Sequence, residues 1–171
     1  LRSYDITWKN YDGTVLETDK SVNYGTTPTY NGATPTRATT AQYTYTFSNW
    51  SPAVSSVTGN QTYTAQFTAT VRKYTITWKN GSTTLETDTN VEYGTTPTYN
   101  GTTPTKASTA QYSYTFSGWS PAVASVTGNQ TYTAQFKATV RTYTITWKNG
   151  STTLETDYNV AYGSTPSYGG S

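Results

Sequence analysis

The residues of this chain that could do chemistry are few, and they recur. Glu86 and Asp88 stand two apart, and the same pair returns as Glu17/Asp19 and Glu155/Asp157. On a strand, residues two apart share a face, which sets the carboxylates about 6–7 Å from each other. That separation suits the paired acids of a glycosidase or half of a calcium site. The surroundings supply neither. A hydrolase needs a cleft that shifts one pKa, and no Asp-x-Asp-x-Asp-Gly loop brings the about six to eight oxygens that calcium takes. The expectation is a solvated polar face that deters edge-to-edge pairing. Lys9, Lys79 and Lys137 fall out of phase with the apolar residues of their strands. They read as exposed rather than as partners in Lys–Asn crosslinks, because burying an unpaired ammonium is costly. Asn80-Gly81-Ser82 and Asn129-Gln130-Thr131 have the form of glycosylation sequons, a pattern that a Thr-rich chain produces by chance.

Missing residue types remove further chemistry. The 171 residues contain no Cys, His or Met. A disulfide, a thiol nucleophile, Cys-ligated zinc and an imidazole base are therefore unavailable. Ser-His-Asp and Cys-His arrangements cannot be built within the chain. With 11 basic and 9 acidic residues the net charge is +2, and no basic run exists. Nucleic acid is not an expected partner. No stretch approaches the roughly 18 apolar residues of a transmembrane segment. The expectation is a chain with no catalytic residues, no cofactor and no metal. It begins at Leu1 and reads as a processed product or a fragment.

The elements behind these residues form a repeat array. Tyr4-Asp5-Ile6-Thr7-Trp8-Lys9-Asn10 returns at Tyr74–Asn80 and again at Tyr143–Asn149. The repeats are read as residues 1–71, 72–140 and a partial third, 141–171, which holds only the first two strands. The period differs by one residue at the turn after Asn10, a change that a hairpin loop tolerates. Within a repeat the alternation is two-residue. Tyr74, Ile76 and Trp78 share one face, and Asn80-Gly81 gives a strong hairpin signal. The second strand sets Leu85, Thr87, Thr89, Val91 and Tyr93 on one face and Glu86, Asp88, Asn90 and Glu92 on the other. Thr103-Pro104 has the form of a helix start running to Gln111, against which its interior Thr and Ser residues count. The third strand carries Tyr112, Tyr114 and Phe116. A bulge at Gly118 (Asn49 in the first repeat) would turn Trp119 inward. The fourth carries Tyr132, Ala134, Phe136, Ala138 and Val140, and only Arg141-Thr142 separate it from the next repeat. The class is predominantly β, about four strands per repeat.

The order Tyr-x-Ile-x-Trp, hairpin, Tyr-Gly, Pro, Tyr-x-Phe-x-Gly-Trp, Tyr-x-Ala-x-Phe resembles the Listeria–Bacteroides repeat, the internalin B-repeat type of bacterial surface proteins. In the second repeat it is carried by Tyr74, Ile76, Trp78, Tyr93, Gly94, Pro97, Phe116, Gly118, Trp119, Tyr132, Ala134 and Phe136. Tyr112-Ser113-Tyr114-Thr115-Phe116 departs from the Gly-Tyr-x-Phe that members more often show. The resemblance implies tandem β-grasp-like units, α+β at most, with a short helical segment. It also implies a place on the bacterial cell surface or among secreted proteins, and it brings no catalytic residues.

Two functions follow as expectations. One is a non-enzymatic stalk, spacer or filament-forming segment whose partners are adjacent repeats or further copies of itself. Its candidate contacts are the apolar residues of the partial repeat: Tyr143, Ile145, Trp147, Leu154, Val160 and Tyr162. The other is an adhesive module for glycan or host protein, with the loop tyrosines Tyr30, Tyr99 and Tyr168 as candidate exposed contacts. The tryptophans, in phase with Tyr and Ile, read as core.

Overall fold

The computed structural model describes residues 2–170, and these are all-β with no helix among them. The first repeat contributes β1 (Ser3–Lys9), β2 (Val15–Asn23), β3 (Tyr43–Ser51) and β4 (Gln61–Val71). The second contributes β5 (Lys73–Asn80), β6 (Thr83–Glu92), β7 (Tyr112–Ser120) and β8 (Gln130–Val140). The partial third contributes β9 (Thr142–Asn149) and β10 (Thr152–Ala161). The sheets are ordered β2-β1-β4-β3 and β6-β5-β8-β7, with β10-β9 as a two-stranded sheet. By compactness the chain divides into a first unit, reaching residue 74 and including 92–94, and a second with 75–91 and 95 onward.

Each four-stranded sheet is built the same way. A tight hairpin joins the first two strands. Its turn in the first repeat is closed by Gly13 N–H on the Asn10 carbonyl at 3.0 Å. In the second repeat Gly81 takes φ 58°, the left-handed conformation that makes Asn-Gly a hairpin turn. The first strand then pairs in parallel with the last, Ile6↔Gln61 through Lys9↔Thr64 and Ile76↔Gln130 through Lys79↔Thr133. The third strand pairs antiparallel with the fourth along nearly its whole length. The bulge expected at Gly118 is present, with the register shifting between Phe116 and Gly118, and likewise between Phe47 and Asn49.

Two irregular segments per repeat close over one face of the sheet, and their backbones bond to each other. Gly25 N–H donates to the Val57 carbonyl and Val57 N–H to the Thr26 carbonyl, at 2.8 and 2.9 Å. Pro28, Pro35 and Val57 are buried beneath them, as are Pro97, Pro104 and Val126 in the second repeat. Residues 103–111 form no helix. Pro104 is spent as a buried plug, and the Thr105 carbonyl accepts from Asn80 Nδ2 at 2.8 Å. The backbone of this stretch thus finds a partner on the sheet rather than in a helical turn.

The second strand departs from its expected two-residue phase. Tyr4 pairs with Val22, but Ile6 pairs with Asp19, so β2 carries an extra residue. Ser21 sits there at φ 58°, and Asn90 and Asn159 take φ 60° and 59° at the equivalent places. The bulge reverses which residues face inward. Val22 packs on the core, and so do the strand positions of the acidic pair. Leu85, expected inward, is 38% exposed.

Candidate functional site: the aromatic cluster and its carboxylates

Ile6 and Trp8 in the first unit, and Ile76 and Trp78 in the second, are almost completely buried, together with Tyr63 and Tyr132. Parallel pairing sets Trp8 opposite Tyr63 and Trp78 opposite Tyr132. Their rings stack with centroids 4.7 and 4.8 Å apart. Trp50, aimed inward by the bulge after Phe47, meets Trp8 edge-on at 4.8 Å, and Trp119 meets Trp78 in the same way at 4.8 Å. Tyr30 and Tyr99 close the cluster from the irregular segment, each 5.7 Å from its buried Trp. Such rings bury about 150–250 Å² each, which compensates for the small size of a unit without disulfides.

The acidic pair holds this cluster in place. Trp8 Nε1 donates to Asp19 at 2.9 Å, and Trp78 Nε1 to Asp88 at 2.8 Å. The indole N–H, the one polar atom of the buried ring, is thereby satisfied. Glu17 accepts the N–H groups of Asn31 and Gly32, at 2.8 and 3.0 Å, and the Asn31 side chain at 3.2 Å. Glu86 does the same for Asn100 and Gly101. Glu155 receives Gly169 and Gly170 at 2.9 and 3.1 Å. The carboxylates are therefore not a free polar face. One ties down the tryptophan, and the other ties down the segment that carries the loop tyrosine. Tyr30 and Tyr99 complete the loop through hydroxyl bonds to the Ala33 and Thr102 carbonyls.

Burial raises the pKa of the Glu17 and Glu86 carboxyls, but hydrogen bonds outweigh it and leave both below the ordinary value of 4.5. Those bonds come from the backbone and side chain of Asn31 or Asn100 and from the backbone of Gly32 or Gly101. A depressed folded pKa adds stability that is complete above the unfolded value and is lost as pH falls through the folded one. Urea midpoints are therefore expected to hold from neutral pH to about 4.5 and to fall below it. The double variant Glu17→Gln, Glu86→Gln should fall less steeply over the acid range.

The third hairpin carries the same local chemistry without its sheet partners among the described residues. Trp147 Nε1 donates to Asp157 at 2.8 Å, and Tyr168 lies 5.7 Å from the Trp147 ring. Ile145, Trp147 and Val160 are half-buried, whereas Tyr143, Leu154 and Tyr162 are exposed. Leu154 departs from the expected face because the bulge at Asn159 puts Glu155 and Asp157 opposite Trp147 and Ile145 instead. The loop-tyrosine expectation is corrected in part. Tyr30 and Tyr99 are half-buried in aromatic contacts, and Tyr168 is 41% exposed. Lys9 and Lys79 are half-buried, and Lys137 is exposed.

Sequence reading missed a recurring clasp. In the first unit Arg72 Nη1 donates to the Thr40 carbonyl at 2.9 Å, Tyr74 Oη donates to the Ala41 carbonyl, and Arg72 N–H donates to the Gln42 carbonyl. In the second unit Arg141 and Tyr143 do the same to Thr109, Ala110 and Gln111. The guanidinium lies 5.2 Å over the tyrosine ring in both. The available signal was Thr-Ala-Gln-Tyr (40–43) recurring as Thr-Ala-Gln-Tyr (109–112), with Arg-x-Tyr following in register. The double variant Arg141→Ala, Tyr143→Phe is expected to lower amide protection across β9–β10 by roughly tenfold or more, since one of the lost bonds is charge-assisted. Hydrogen exchange resolved by residue would read it, with β1–β4 as the unchanged reference.

No family model and no curated protein matches the chain. Among solved structures, a chain described as Streptococcal High Identity Repeats in Tandem (SHIRT) domains 3-4 from a cell surface protein is similar at 12% identity and a TM-score of 0.40. The match covers 81% of this chain and 99% of that one. A likeness this loose does not establish a common fold.

Proposed function

We propose that this chain is a non-enzymatic structural repeat array, a stalk or spacer segment of an extracellular bacterial surface protein. The observation that carries the reading is the fate of the acidic pairs. The sequence feature with the spacing of a catalytic site is consumed, in both complete repeats, as acceptors for a buried indole and a loop. A shallow cavity beside the Ser120-Pro121 turn is lined by Val126, Asn129, Gln130 and Tyr132 and holds no carboxylate or amine. The β-grasp-like reading of the unit belongs to the same proposal. Its support is the strand order with a parallel central pair, and the short helical segment expected with it is replaced by an irregular one. The surface location is supported by the motif resemblance to the Listeria–Bacteroides repeat.

Immunogold labelling of the source bacterium with antibody to this chain is the test, and label on the outer envelope or in the medium is expected. Label confined to the cytoplasm would sink the proposal. An adhesive role has its own observation in the exposed aromatic side chains of Tyr24, Tyr158 and Tyr168. The spacer reading predicts no saturable binding on a glycan array. Saturable binding lost on Tyr158→Ala would favour adhesion.

A further inference from the structure

A repeat that spaces something outside a cell is pulled through its own chain, so the geometry of its first and last strands decides how it yields. In both complete repeats these two strands are neighbours and parallel. In the second, chain enters β5 at Lys73 and leaves β8 at Val140. Tension applied there draws the two strands in opposite directions along their length. Every hydrogen bond of the β5–β8 ladder is then loaded sideways and together, instead of one after another.

Three further features lie on this seam. Trp78 stacks on Tyr132 directly across it. Asn129 Oδ1 accepts the Thr75 N–H at 2.9 Å, extending the contact beyond the paired residues. The seam sits in the middle of the sheet, flanked by β6 and β7, so water reaches it from neither edge. The first repeat duplicates all three, with Trp8 on Tyr63, Asn60 accepting from Asp5 N–H at 2.9 Å, and β2 and β3 outside.

We infer that each complete repeat is a shear clamp, a module whose parallel central strands and cross-seam Trp–Tyr stack resist tension along the chain. The inference deepens the stalk reading and rests on it for its biological use. Its test is independent of where the protein resides.

The chain has no cysteine, so introduced cysteines give unique attachment points for single-molecule pulling. Two variants of the full chain compare two directions of load on the second repeat. Lys73→Cys with Thr142→Cys loads β5 and β8 from opposite ends. Ser82→Cys with Thr142→Cys moves the first load to the hairpin turn, at the end of β5 nearer the exit of β8, so that β5 is peeled from β8 starting at the Lys79–Thr133 pair. All three positions are exposed. Unfolding in the first geometry should release about 20 nm of chain, the about 25 nm of contour at about 3.6 Å per residue less the roughly 4–5 nm of strand that already separates the two points. Its rupture force should be roughly twofold or more above that of the second at equal loading rate, because the ladder bonds break together. Equal forces, or a lower force in the first geometry, would overturn the inference and leave the stalk reading standing. Cytoplasmic label in the immunogold experiment would remove the stalk reading and leave the clamp.

Discussion

Trp78→Ala is expected to cost the second unit about 3–5 kcal/mol, the range for removing a large aromatic from a packed core. The side chain is 1% exposed. It contacts Tyr132, Trp119 and Tyr99 at once, so its removal opens a void that three rings border and none can fill alone. The repeat around it, of about 70 residues, holds roughly 4–10 kcal/mol in all. The variant should therefore lie at the edge of unfolding while the first unit, with its own Trp8, keeps its stability. Trp147→Ala is the matched comparison. That ring has the same sequence neighbours but is half-buried and contacts Tyr168 alone among the aromatic rings. Its loss should cost about 1–2 kcal/mol, because less apolar area returns to water. Urea denaturation followed by fluorescence would separate the two. Equal costs would mean that β9–β10 is packed as fully as a complete repeat.

Asp88→Ala is expected to destabilise the second unit by about 1–3 kcal/mol, because it leaves a buried indole N–H without an acceptor. The indole proton resonance of Trp78 should move, and the unfolding midpoint should fall. Glu86→Ala acts on the other half of the same device. It releases the Asn100 and Gly101 amides, so Tyr99 should lose its place against Trp78 and Trp119. Exposure of these bonds to solvent makes the expected loss smaller, about 1 kcal/mol. The pair of outcomes discriminates a structural acid from a catalytic one. A structural role lowers the midpoint in both variants, whereas catalytic carboxylates would be replaced at little cost to stability. Asp157→Ala in the third hairpin should cost less than Asp88→Ala, since Trp147 is open enough for water to replace the carboxylate.

Strand positions were legible because alternation is a direct consequence of the pleat. Tyr74, Ile76 and Trp78 needed no further knowledge to be placed inward, and the glycine before Trp119 marked its bulge. The bulge in the second strand left no such mark. Ser21 and Asn90 are ordinary polar residues in an ordinary polar stretch, and nothing in two-residue periodicity reports a left-handed φ. One unseen extra residue moved Glu86 and Asp88 from the imagined solvent face to the core side. It also moved Leu85 and Leu154 outward. The missing helix has a different cause. Thr103-Pro104 satisfies the local grammar of a helix start, but tertiary contacts that bury Pro104 and occupy the Thr105 carbonyl prevail over it. The Tyr-Asn-Gly triplets at 30–32 and 99–101 were visible as repeats. Their purpose emerged only with the acid that their amides address, about fourteen residues earlier, across the sheet face.

Arg72 and Arg141 each open a repeat and find their acceptors within the compact unit that their clasp completes. Donor residues belong to one repeat and acceptor residues to the repeat before it, and the two clasps use the same residues. Unequal exchange between such near-identical segments would add or delete a whole repeat while leaving each clasp and each aromatic core intact. Copy number can then vary without a new contact having to evolve.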